Sequence, residues 1–137
     1  MLRKLEAEGF IKKLKSSPKQ VEDSIKLAER DLEVAKTVLD NDYDWTFNIA
    51  YNSILQSIRA LIYKKGYRPS SRNSHLATIS FAEIFLDEAD VLYFDRMRRK
   101  RHQAVYDTAG TISKTEAQNA ISRAEIIINK VKKLIRE

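Results

Sequence analysis

Residues 19–40 read Lys19-Gln-Val-Glu-Asp-Ser-Ile-Lys-Leu-Ala-Glu-Arg-Asp-Leu-Glu-Val-Ala-Lys-Thr-Val-Leu-Asp40. Val21, Ile25, Ala28, Leu32, Ala35 and Leu39 recur at alternating steps of four and three, so they form one apolar stripe of an α-helix. Just before it, Ser17, Pro18 and Gln20 supply an N-cap, a proline at the first helical position and a capping-box partner. Asn41 to Asp44 is a short polar turn, with Asp44 expected to cap the next helix. Phe47, Tyr51, Ile54, Ile58 and Leu61 then repeat the spacing, and Gly66 marks the stop. Two long helices with so short a link predict an antiparallel hairpin.

The same punctuation extends in both directions. Gly66 to Ser74 is an irregular loop holding Tyr67, Arg68, Pro69, Arg72 and Asn73. A shorter helix is expected over His75 to Leu86, with Leu76, Ile79, Ala82 and Phe85 inward. Asp87 or Asp90 starts another that runs to about Asp107. Ser113 with Glu116 forms a second capping box. Behind it Ala117, Ile121, Ala124, Ile128, Val131 and Ile135 make a second clean stripe. Leu2 to Leu14 reads as a loose extra helix, interrupted by Gly9. The expected organisation is an N-terminal extension over 1–16 and an all-α, up-and-down bundle of four to five main helices over 17–137.

Composition supports this and excludes several classes. The chain has 137 residues, 43% of them hydrophobic and 32% charged, enough for one folded domain with a real core. Three glycines and two prolines are too few for the tight turns of a β sandwich or barrel. With no cysteine there is no disulfide scaffold, thiolate metal site or cysteine nucleophile. His75 and His102 are the only imidazoles, and there is no glycine-rich phosphate loop, so no metal and no cofactor is expected. No signal-peptide pattern and no bilayer-length apolar run occurs, which predicts a cytoplasmic protein with no membrane partner.

Charge is uneven. Residues 21–50 carry eight acids against three bases, residues 51–72 carry five bases and no acid, and residues 93–106 carry five bases and one acid. Each run by itself fits a solvated surface; the formal charge of +6 permits a polyanionic partner.

The stretch that carries chemistry is Tyr93-Phe-Asp-Arg-Met-Arg-Arg-Lys-Arg-His-Gln-Ala-Val-Tyr-Asp107. At about 100° per residue, Tyr93, Phe94, Met97, Ala104 and Val105 gather on the inward side. Arg96, Lys100, Gln103 and Asp107 gather opposite. Arg101 falls within the apolar cluster, where a guanidinium needs a carboxylate, a phosphate or a subunit interface. His102 lies one turn from Arg98 and Arg99, two cations that would depress its pKa and keep it neutral. Arginines beside a neutral imidazole suit a phosphodiester: the guanidiniums hold phosphate, and His102 takes a proton from a ribose 2′-hydroxyl. Arg101, His102 and Tyr106 are the catalytic candidates, with Arg96, Arg98 and Arg99 as phosphate or RNA ligands. His75 reads as a helix-start residue, and Trp45 as a packing residue.

These elements in this order resemble the HEPN family. The second helix carries Ala50-Tyr51-Asn52-Ser53-Ile54, Arg59-Ala60-Leu61 and Lys65-Gly66-Tyr67. Ser74-His75 opens the next helix, and the Arg-rich, His and Tyr106-Asp107 elements follow. The likeness spans roughly residues 17 to 135. The family signature is an arginine, four to six intervening residues and then a histidine, often with a polar residue directly after the arginine. Arg96 with His102 fits the spacing, although the wheel puts the two about 120° apart. Arg101 followed by the polar His102 fits the start of the signature, with Tyr106 at the histidine position. The resemblance implies a homodimer and two alternative roles. One is a metal-independent endoribonuclease toxin of a toxin–antitoxin pair, acting on RNA. The other is a non-catalytic nucleotide-binding partner of a small nucleotidyltransferase antitoxin. Outside the family, a structural bundle without ligand remains the alternative.

Overall fold

Three long helices carry the core of the computed structural model, which describes residues 1–72 and 74–137. Asn73, assigned to a loop on sequence, lies outside the described residues. Helix α2 spans Pro18–Val38, α3 spans Tyr43–Lys64 and α6 spans Lys114–Arg136. At 1.5 Å per residue each is about 30–35 Å long. Helix α3 lies between the other two and packs on both. Ala28 and Ala35 of α2, Ala50 of α3, and Ala117, Ala120 and Ala124 of α6 are fully buried, and their small side chains let the helices approach closely. Ile54, Ile58, Leu61, Ile127 and Val131 fill the remaining space. Each such burial stabilises the fold by roughly 1.5–3 kcal/mol.

Both expected capping boxes form: Ser17 with Gln20 on α2, and Ser113 with Glu116 on α6. The cap of α3 differs from expectation. Asp42, not Asp44, accepts the Trp45 N–H at 2.9 Å, because an N-cap side chain reaches the amide three residues on. Asp44 turns away and accepts the Gly110 and Ile112 N–H groups at 2.7 and 3.3 Å, tying the loop before α6 to the start of α3.

Two shorter helices, α4 (Ser74–Phe85) and α5 (Glu88–His102), pack on α3. Leu76, expected inward, is 42% exposed, while Ala77, Phe81 and Ala82 take the core positions beside Ile79. The buried Asp90 of α5 accepts from Arg123 and Lys130 of α6 at 2.9 and 2.5 Å, which fastens the start of α5. After His102 the helix widens into a π-helical turn, Gln103–Asp107. The turn holds more residues than an α turn, so the 100° wheel loses register. Ala104 stays buried, but Val105, expected inward, is 42% exposed.

The N-terminal residues are not a loose extra helix. Helix α1 covers Leu2–Ala7, Gly9 takes a φ of +82°, and strand β1 (Ile11–Lys13) follows. It pairs antiparallel with β2 (Tyr67–Pro69), with Ile11 opposite Pro69 and Lys13 opposite Tyr67. Leu5 and Ile11 join the core. This two-stranded sheet is a small addition to an otherwise helical fold. Among the described residues no helix is long and apolar enough to cross a membrane.

Candidate functional site

The side chains that converge most closely come from α3, α4 and α5. Tyr51, buried in the middle of α3, places its hydroxyl 2.7 Å from Nδ1 of His75 at the start of α4. The two rings lie 3° from parallel with centroids 5.7 Å apart. Phe94 of α5 stacks on Tyr51 at 5.2 Å. The Arg101 guanidinium sits 5.5 Å from the Tyr51 ring centroid, a cation–π arrangement. Its Nε donates to Oδ1 of Asn48, one turn before Tyr51, at 2.5 Å. Arg101 is thus half-buried, as its place on the wheel implies. Its partners are a neutral amide and an aromatic face, with no carboxylate among the described residues.

This environment sets the protonation states. Burial pushes the Tyr51 phenol up to about 12, against the opposing pull of Arg101, Arg98 and Arg59. His75 is held below its ordinary pKa, first by burial and then by Arg101, Arg59 and Arg98. The Tyr51 phenol is fully buried, and among the described residues Nδ1 of His75 is its one hydrogen-bond partner, so the protonated phenol donates to it. That bond selects the tautomer with hydrogen on Nε2. His75 is therefore a hydrogen-bond donor in the same cluster as the Arg101 guanidinium, a combination suited to an anion.

The six residues selected from sequence are distributed over three places. Arg101 joins the Tyr51–His75 cluster. Arg98 acts on the same imidazole and pairs with Asp95 at 3.0 Å, while the more exposed Arg99 reaches the other Asp95 oxygen at 3.7 Å. His102 and Tyr106 are exposed and sit together, ring centroids 4.9 Å apart. Arg96 is exposed on a different face, beside a cleft lined by Tyr93, Met97, Lys100 and Glu116. A larger cleft, about 460 Å³, opens between Lys64, Val21, Ile25 and Ile135. Its lining has neither an imidazole nor an aromatic ring, so size does not mark the chemistry here.

Sequence reasoning missed Asn48, Tyr51 and His75 as site residues. Tyr51 reads as a core position and His75 as a helix start; both descriptions hold, yet the two meet across 24 residues of chain. Their positions in the Ala50-Tyr51 and Ser74-His75 motifs were the available signal. Trp45, expected to pack, is 58% exposed. Among the described residues no three His, Cys, Asp or Glu side chains converge as metal ligands.

The HEPN domain model matches residues 21–134. A protein of Methanocaldococcus jannaschii named "Putative toxin MJ0142" is 27% identical over 121 residues, covering 85% of this chain and 82% of its own. The crystal structure of ST0689, described as an archaeal HEPN homologue, is similar with a TM-score of 0.63 and 26% identity, over 84% of this chain and 97% of that one. TT1696 from Thermus thermophilus shares the fold with a TM-score of 0.69 at 18% identity, over 83% and 97% of the two chains.

Proposed function

Because the chain belongs to the HEPN domain family, we propose that it is an RNA-cleaving toxin of a toxin–antitoxin pair that holds a phosphodiester at Arg98 and Arg101. The observation that carries this reading is Arg101 seated 5.5 Å from the centroid of the Tyr51 ring that bonds His75, with Arg59 and Arg98 also acting to lower the pKa of that imidazole and with Arg101 and Arg59 lacking acidic partners among the described residues. Arg101 donates through Nε to Asn48 and Arg98 pairs with Asp95, but each guanidinium has further N–H donors to offer an anion, and phosphate matches their fork geometry. The resemblance to a toxin-named relative supports the same direction.

In this account Arg98 and Arg101 clamp the phosphate oxygens and the Nε2–H of His75 donates to one of them. Charge on the phosphorane then develops beside fixed donors, where stabilisation is largest. His102, open to solvent at the end of α5, takes the 2′-hydroxyl proton. The 2′ oxygen attacks phosphorus, the bond to the 5′ oxygen breaks, and a 2′,3′-cyclic phosphate remains. The Tyr106 hydroxyl, beside His102, gives its proton to the departing 5′ oxygen and regains one from the His102 imidazolium, so that a 5′-hydroxyl leaves and both side chains return to their starting state. Arg99 adds attraction for the strand from its exposed position, and Arg96 stands apart from the reacting phosphate. In this reading the chain works as a homodimer, as the family resemblance implies.

Incubating the purified protein with single-stranded RNA tests this directly. Cleavage to cyclic-phosphate ends, lost in His102→Ala with RNA binding retained, supports the proposal. RNA binding without cleavage in the unsubstituted protein would favour the nucleotide-binding partner of a nucleotidyltransferase.

A further inference from the structure

Next to Asn48 lies a cleft of about 230 Å³, and its composition is unlike that of the arginine cluster. The side chain of Trp45 forms one wall and is 58% exposed. Val105, displaced outward by the π-helical turn, lines it together with Ala104. An exposed indole beside aliphatic carbon offers a flat, apolar surface for a π system.

The polar groups of the cleft are equally defined. A guanidinium only donates, so the Asn48 atom bonded to Arg101 Nε is the oxygen. The Asn48 amide nitrogen keeps two donors without partners among the described residues. Asp42 uses one carboxylate oxygen to cap Trp45, and its other oxygen is an acceptor without a partner among them. Asp42 and Asp44 both border the cleft, so a phosphate is repelled from it. A neutral ring presenting an amino donor next to a ring-nitrogen acceptor satisfies both groups. An asparagine N–H donates to the N7 of adenine when it reads that base, and aspartate accepts from the cytosine amino group; with the Asn48 oxygen held by Arg101, Asp42 is the acceptor for the amino group here.

We infer that the Trp45–Asn48–Asp42 cleft is a nucleobase subsite that takes adenine or cytosine. This rests on the reading that Arg98 and Arg101 hold RNA, because Asn48 links the two places through its bond to Arg101. Stacking on Trp45 and the Asn48 and Asp42 hydrogen bonds set which nucleotide lies beside the held phosphate. Binding of single-stranded nucleic acid through aromatic platforms beside basic grooves follows the same division of labour.

Trp45 is the single tryptophan of the chain, so its emission reports this cleft alone. Titration with short oligo(A), oligo(C) and oligo(U) at low salt should give saturable quenching by the first two and several-fold weaker binding of the third. Trp45→Ala should weaken oligo(A) binding, read by the anisotropy of labelled oligonucleotide, by about five-fold or more. Its salt dependence should be unchanged, since no phosphate contact is removed. Anisotropy that shows binding without quenching would overturn the subsite while leaving the phosphate reading intact, as would equal quenching by oligo(U). Emission that shifts on diluting the protein without RNA would also overturn it, because a second copy then covers this face. Absence of binding by every oligomer would strike the phosphate reading itself, and the subsite with it.

Discussion

The Tyr51 hydroxyl donates to Nδ1 of His75 at 2.7 Å, joining the centre of α3 to the start of α4. Burial, and after it Arg101, Arg59 and Arg98, hold His75 below its ordinary pKa, while the bond to the buried phenol fixes the tautomer and leaves the other ring nitrogen as a donor. A residue that begins a helix and a residue that fills the core thus act as one unit.

The pair makes stability depend on pH. The folded-state pKa of His75 lies below its ordinary 6.5, so between the two values the unfolded chain binds a proton that the native protein does not. This contribution is present above about pH 6.5 and is lost as pH falls through the lowered native value. Urea midpoints measured from pH 7.5 to 5 should therefore fall, and the slope should flatten in His75→Gln. An unchanged slope would count against the assigned shift.

Removing the phenol hydrogen bond alone is a gentler change. Tyr51→Phe keeps the ring between Phe94 and Arg101 and should cost about 0.5–1.5 kcal/mol. Nuclear magnetic resonance of the ring carbons should show His75 populating both neutral tautomers in that variant.

Arg101 and Arg96 should behave differently. Arg101→Ala removes a proposed phosphate ligand and should reduce the slope of log affinity for single-stranded RNA against log salt by about 0.7. Arg96→Ala should leave affinity near that of the unsubstituted protein, since Arg96 faces a separate cleft. If Arg96→Ala abolishes cleavage and Arg101→Ala changes only stability, the functional signature is Arg96 with His102.

Asp44 should matter to the loop before α6. Asp44→Ala leaves the Gly110 and Ile112 amides without their acceptor and should cost about 1–3 kcal/mol. Proteolysis between residues 107 and 113 should accelerate. Equal proteolysis of variant and parent would mean that the two hydrogen bonds do not hold the loop.

The dimer is tested by mass. Sedimentation equilibrium at micromolar concentration should give twice the 15.9 kDa of one chain. A mass of one chain under those conditions would remove the dimer from the account.

Helices α2, α3 and α6 were legible because their stripes and caps are local: Ser17 with Gln20 and Ser113 with Glu116 announce where α2 and α6 begin. Arg101 was legible for a related reason, a charge within an apolar stripe. The rest depended on contacts between distant segments. Strands β1 and β2 have three residues each, too few for an alternating pattern, and form by pairing across some 50 residues of chain. Val105 was misplaced because the π turn breaks the wheel, and no residue in Gln103–Asp107 signals it. Asn48 carries no local signal and His75 reads as a helix start; their roles depend on Arg101 and Tyr51, which reach them from other helices.

The most direct test of the phosphodiester site is the salt dependence of single-stranded RNA binding, measured by anisotropy for the parent and for Arg98→Ala with Arg101→Ala. The account predicts saturable binding by the parent, at least ten-fold weaker binding by the double variant, and a salt slope lower by about 1.4, two single-strand phosphate contacts. Lys132→Ala with Lys133→Ala, on α6, should leave the slope unchanged. Equal affinity and slope for the parent and the arginine variant would contradict the account.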